Sequence, residues 1–166
     1  MRVLIIGGTG HFSGRITERA VAQGHEVTLY NRGQRPLPPG TGAAVIQGER
    51  DDLRAHAAEI AALDPEAVVD SICFLPHQAE DLAALFSGVK RLVLISSVDA
   101  YGEDVGAAPV TEEREPAPVS DYGKNKLACE RVLFDALGPA VTAFRPSHIL
   151  GRGFLTTSLW SRTPYH

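Results

Sequence analysis

Tyr122 and Lys126 stand four residues apart in Tyr122-Gly123-Lys124-Asn125-Lys126, so on a helix a phenol and an ammonium share one face. A phenol ordinarily titrates near pH 10 and is a poor base at neutrality. Lowering it by about three units takes about 4 kcal/mol of preferential stabilisation of the phenolate. One ammonium at about 4 Å supplies roughly that at an effective dielectric of 20. The pair can therefore move a proton. Upstream, Ser96-Ser97 closes the apolar run Leu92–Ile95, and Ser97 can hydrogen-bond a substrate oxygen that gains or loses that proton. A YxxxK spacing alone is more often a solvated helix face. The serine pair and a glycine-rich turn, in this order along the chain, favour chemistry.

That turn follows Val3-Leu4-Ile5-Ile6, which breaks at once into Gly7-Gly8-Thr9-Gly10-His11-Phe12-Ser13-Gly14. A buried strand handing over to a helix N-terminus in this way can cradle a pyrophosphate. Gly7 permits the tight turn and Gly10 lets backbone approach the ligand closely. Ser13 stands where a third glycine is usual, and it is small enough for helix–strand packing. Thr9, His11 and Phe12 line the turn; His11 either sits near phosphate or faces solvent as a loop residue. About 20 residues past the glycines, sites for the non-phosphorylated cofactor carry a carboxylate for the ribose 2′-hydroxyl. Here that place holds Asn31 and then Arg32. A guanidinium suits a 2′-phosphate better than a hydroxyl, with Arg35 in reach to assist, so NADP is favoured over NAD. The alternative for Arg32 is a solvated loop residue. In Gly48-Glu49-Arg50-Asp51, Glu49 and Arg50 border the adenine, and Asp51 serves equally as a helix cap.

The elements that must position these groups alternate along the chain. Strands are expected at Arg2–Ile6, Glu26–Tyr30, Ala44–Gln47, Ala67–Ile72, Arg91–Ser96 and Val141–Arg145. Helices are expected from Phe12 to Gln23, from Asp51 or Asp52 to Leu63, from Gln78 to Ser87 and from Asp121 to Leu137. Gly24 and Gly138-Pro139 close two of them. Gly102–Ser120 carries the proline and glutamate of a long surface loop. This alternation predicts an α/β fold, a doubly wound parallel sheet (Rossmann fold) with six strands in the order 3-2-1-4-5-6.

Bulk properties narrow the function classes. The 166 residues suit one domain with a sizeable core. The net charge of −4 is dispersed, without a basic block, which argues against nucleic-acid and anionic-membrane partners, including an RNA-binding role. Cys73 and Cys129 are isolated thiols without a metal-ligand spacing, and no metal site is expected. The first apolar run is too short for a signal peptide, and no stretch approaches the roughly 18 apolar residues of a membrane span. The default compartment is the cytoplasm.

As an ordered set, these motifs resemble the extended short-chain dehydrogenase/reductases of the NAD-dependent epimerase/dehydratase type. The resembling pieces are the glycine turn, Gly24-His25-Glu26-Val27-Thr28, Ile95-Ser96-Ser97 leading to Tyr101-Gly102, the Tyr122–Lys126 segment with Ala128-Cys129-Glu130, and Arg145-Pro146-Ser147-His148-Ile149-Leu150-Gly151. The likeness is strongest to nucleoside-diphosphate-sugar epimerases. It implies Tyr122 as acid/base, Lys126 as its tuner and a ligand of the nicotinamide ribose, and Ser97 as the third catalytic member. By the same likeness Ser96, Pro146 and Ser147 border the nicotinamide end, and the substrate is a nucleotide-activated sugar or another small hydroxyl-bearing molecule. It also implies a homodimer through the helices near 78–87 and 121–137, with Leu82 and Leu133 outward. Asp70-Ser71-Ile72-Cys73-Phe74 lacks the small-residue turn that usually borders the cofactor ribose. The chain also stops where the family's C-terminal half, the source of most of the substrate pocket, would begin. Residues 1–150 are thus expected to form a dinucleotide-binding domain, and residues 151–166 a poorly ordered tail or the start of a missing substrate half. The competing function is a non-catalytic NAD(P)-binding module or truncated remnant.

Overall fold

Six short strands lie side by side in the computed structural model, which describes residues 1–103 and 109–150. They are β1 (Arg2–Ile6), β2 (Glu26–Asn31), β3 (Ala44–Gln47), β4 (Ala67–Asp70), β5 (Arg91–Ile95) and β6 (Val141–Phe144). All pair in parallel, in the order β3-β2-β1-β4-β5-β6. The helices are α1 (His11–Ala22), α2 (Ala57–Leu63), α3 (Pro76–Leu85) and α4 (Asp121–Leu137). The doubly wound sheet expected from the alternation is the sheet that forms.

Several ends shift by a residue or two, and three departures have a visible cause. β4 stops at Asp70 and not at Ile72, because the Asp70 carboxylate accepts the Ile72 N–H at 2.8 Å and turns the chain out of the sheet. α3 starts at Pro76, ahead of Gln78: proline fits the first helical position, and the Gln78 side chain turns back to accept the N–H groups of Phe74 and Leu75. The stretch after β3 is not one α-helix. Arg50–His56 winds as a 3-10 helix before α2 begins. Its buried residues are Arg50 and Leu53, one 3-10 turn apart, so that period places both against the core.

Alternating strand residues feed two cores. Leu4 and Ile6 of β1, with Val68, Leu92 and Leu94, pack under α2, α3 and α4. Val3 and Ile5, with Val27 and Leu29, pack under α1. Leu82 and Leu133, expected to face outward, are fully buried in the first core: α3 and α4 pack on each other and on the sheet, so their apolar stripes are spent within the chain. On the second face α1 serves the β1–β2 half. Among the described residues the β4–β5–β6 half is uncovered, as a groove of about 1190 Å³ bordered by Val93, Ile95, Phe134 and Phe144. Among the described residues no helix is long and apolar enough to cross a membrane. The tail expected over residues 151–166 lies outside the described residues.

Candidate functional site

The strand order reverses between β1 and β4, where parallel sheets of this type open a ligand crevice at their carboxyl ends. A cleft of about 750 Å³ lies there, within the range of small-molecule sites. Gly7, Thr9 and Gly10 form its floor, and His11, Phe12 and Ser13 of α1 continue it. Gly7 holds φ +100°, and a Cβ on it would strike the Ser71 hydroxyl. Gly8 holds φ +82°, and a Cβ there would meet Leu29 at 2.7 Å. Neither position admits a side chain. The Thr17 hydroxyl, not singled out from sequence, donates to the Gly8 carbonyl at 2.8 Å and braces the turn. At the place of the third glycine, the Ser13 hydroxyl accepts the Gly10 N–H at 3.0 Å. A backbone cradle that side chains would fill, at the N-terminus of a helix, fits a pyrophosphate.

The far end of the cleft is cationic. Asn31 is buried, and its amide is used within the fold: Nδ2 donates to the Gly7 carbonyl at 3.3 Å, and Oδ1 accepts the Gly33 N–H at 2.8 Å. It joins the end of β2 to the glycine turn. Arg32 and Arg35 line the cleft beside it, and the Arg35 guanidinium lies 3.9 Å from where a Cβ on Gly10 would stand. Glu49 faces the same space, its carboxylate 4.0 Å from Arg32 Nε. Arg50 plays a different part from Glu49. Its guanidinium runs inward to Asp70 at 2.9 Å and to the Gln78 carbonyl at 2.9 Å, fastening the 3-10 helix to β4 and α3. Its Nε and Nη1 are buried without a hydrogen-bond partner. Burial pushes the Asp70 carboxyl up, against the pull of Arg50.

Ser97, Tyr122 and Lys126 are not among the residues lining the cleft; Tyr122 and Lys126 sit next to Phe74, which is. The Ser120 hydroxyl caps α4 by accepting the Gly123 N–H at 2.9 Å, and the first turn of that helix presents Tyr122. Ser97 lies just beyond β5, its hydroxyl accepting the Asp99 N–H at 3.2 Å. Burial raises the phenol above its ordinary value; the nearby Ser97 hydroxyl lowers it and Asp99 raises it. This corrects the expectation of an ammonium-depressed phenol. Lys126, one turn along, is buried, and its Nζ is held by the carbonyls of Cys73 at 2.7 Å and Ile95 at 2.5 Å. Burial lowers the Lys126 ammonium in turn.

Two residues read as cofactor neighbours turn elsewhere. The Ser96 hydroxyl is buried and donates to Glu130. Glu130 is also gripped by Arg145 at 2.6 Å, whose guanidinium lies 4.5 Å from the Tyr101 ring centre. Pro146 borders the apolar groove, whereas Ser147 does line the cleft. Gly123 matters more than its place in the motif implies. A Cβ there would stand 2.5 Å from the Asp99 carbonyl, so its absence lets α4 approach the segment after β5 and brings Tyr122 to Ser97. Phe74 was likewise not foreseen: its ring lies 6.4 Å from that of Tyr122.

Fold and cleft together define a nucleotide-binding protein of the doubly wound class. Comparison with known proteins places it more closely. The NAD dependent epimerase/dehydratase family model matches residues 3–163, and the chain belongs to that family. It is 35% identical over 136 residues to the 2′-dehydrokanamycin reductase of Streptomyces kanamyceticus, covering 80% of this chain and 38% of that protein. It is 30% identical to the dTDP-6-deoxy-L-talose 4-dehydrogenase (NAD(P)(+)) of Kitasatospora kifunensis, covering 90% of this chain and 55% of that protein. Among solved structures, the Bordetella bronchiseptica enzyme WbmG in complex with NAD matches with a TM-score of 0.76 and 27% identity, over 87% of this chain and 52% of that one. The chain therefore spans about half, or less, of the length of these relatives.

Proposed function

We propose that residues 1–150 bind a nicotinamide dinucleotide, NADP(H) in preference to NAD(H), and serve proton and hydride transfer at a hydroxyl-bearing carbon of a nucleotide-activated sugar or a similar small substrate. The observation that carries this reading is the glycine cradle at the carboxyl end of β1, in the same sheet whose β5 leads to Ser97, the hydroxyl that acts on the Tyr122 phenol. The substrate class is supported by the dTDP-sugar named for one relative. The family and the WbmG structure support a nicotinamide cofactor, and the phosphorylated form is favoured by Arg32 and Arg35 at a strand end that holds Asn31 in place of a carboxylate.

A bound nicotinamide supplies hydride acceptance and donation. The chain's own residues supply the rest. Gly7, Gly10 and the first turn of α1 hold the pyrophosphate. Arg32, with Arg35, faces the 2′-phosphate, and Glu49 faces the adenine. Ser97 hydrogen-bonds the substrate oxygen, and Tyr122 gives it a proton in the reducing direction or takes one in the oxidising direction. Burial keeps the free phenol protonated, the form that donates to a carbonyl. Lys126, anchored by two carbonyls, holds the ribose with its remaining N–H.

The test uses the chain as it stands and fused to the C-terminal half of the Kitasatospora relative. Tyr122→Phe is expected to abolish turnover in the fusion while leaving dinucleotide affinity within about twofold, since the phenol acts on substrate and binding comes from the turn. Full activity of Tyr122→Phe contradicts the proton-transfer role. An inert fusion that still binds cofactor makes this a non-catalytic dinucleotide module.

A further inference from the structure

The segment after β4 carries a bulky ring where the family resemblance leads one to expect small residues. Phe74 is 45% exposed and lines the cofactor cleft together with Gly7 and Ser147. The peptide unit that precedes it is held at both of its polar atoms. The Phe74 N–H donates to Gln78 Oε1 at 2.8 Å, and the preceding carbonyl, that of Cys73, accepts from Lys126 Nζ at 2.7 Å. The ring is then delivered to one place: its centre lies 6.4 Å from the Tyr122 ring at an interplanar angle of 42° and 5.4 Å from Lys126 Nζ.

On the function proposed above, that place has a meaning. Hydride leaves or joins the same carbon whose oxygen exchanges a proton with Tyr122, so the nicotinamide must lie within contact of the substrate beside that phenol. Phe74 lines the cleft with the glycine turn and is also the neighbour of Tyr122, so it stands between the two. We propose that Phe74 is the wall of the nicotinamide subsite, its ring packing against the nicotinamide and holding it in register with Tyr122. Aromatic packing of this kind adds specific attraction to area burial, and an oxidised, positively charged nicotinamide is drawn further to the π face.

The proposal rests on the dinucleotide reading, and the test separates the two. Binding of NADP⁺ is compared with binding of 2′-phospho-ADP-ribose, which lacks only the nicotinamide; NAD⁺ and ADP-ribose form the parallel pair. Calorimetric titration of wild type and Phe74→Ala requires no turnover. Phe74→Ala is expected to weaken NADP⁺ about five- to tenfold and to leave 2′-phospho-ADP-ribose unchanged. Equal losses for both ligands, or no loss for either, overturn the assignment. Should Phe74→Ala fail to fold by circular dichroism, Phe74→Leu and Phe74→Tyr carry the test: loss of NADP⁺ affinity in the leucine variant alone supports it, and wild-type affinity in the leucine variant overturns it. A wild-type chain that binds neither ligand overturns the dinucleotide reading itself, and this assignment with it.

Discussion

Tyr122 is half in and half out of water, and that position sets its chemistry. Burial raises the phenol, with the Ser97 hydroxyl pulling the other way, so the proton is held more tightly than in free tyrosine. The phenolate should therefore appear only above the ordinary value of about 10. A difference titration near 295 nm, wild type minus Tyr122→Phe, is expected to show one tyrosine ionising above that value; a midpoint at or below it contradicts the burial argument. The linkage follows in sign: a group whose folded pKa is raised adds stability that is intact below the unfolded pKa and lost as the pH rises from there through the folded pKa. The advantage of wild type over Tyr122→Phe should thus shrink above about pH 10. The types and spacing of Ser97, Tyr122 and Lys126 are visible in the sequence because one helical turn links the last two. The contacts of Lys126 are not, since its carbonyl partners come from β5 and from the loop after β4.

Helices and strands were legible where punctuation is local. β3 falls at Ala44–Gln47 and α4 at Asp121–Leu137, as read from the strand–helix alternation and the Gly138-Pro139 stop. The 3-10 helix was not legible, because its cause sits across the fold in Asp70, and Leu82 and Leu133 were misplaced because periodicity marks a stripe without saying what covers it. Arg50 and Asp70 give a measurable consequence. Breaking a buried ion pair from one side leaves a charge unpaired and costs about 3–5 kcal/mol. Arg50→Ala is expected to lower the urea midpoint by that order, and Asp70→Asn added to it should recover part of the loss; additive losses would contradict the pairing. Gly123 offers a test of sign. Glycine to alanine within a helix ordinarily gains about 1 kcal/mol. Here the new Cβ would crowd the Asp99 carbonyl, so Gly123→Ala should lower the melting temperature. A higher melting temperature would show that α4 does not depend on that close approach.

Among the described residues, three helices cover one face of the sheet and the β4–β5–β6 half of the other is left uncovered. The exposed Phe134 and Phe144 border that groove, and parallel sheets are normally covered on both faces. The chain as given is expected to self-associate with rising concentration in sedimentation velocity, and Phe144→Ser to reduce this; a single monomeric species at all concentrations would contradict it. The central claim concerns the neighbouring cleft at the sheet's carboxyl end, and its most direct test is calorimetric titration of the chain with NADPH and NADH, repeated on Arg32→Ala. The account predicts tighter binding of NADPH, with the arginine change removing about 1.5–3 kcal/mol of that advantage and leaving NADH nearly untouched. Identical curves for the two cofactors would contradict the phosphate assignment, and no binding of either would contradict the site.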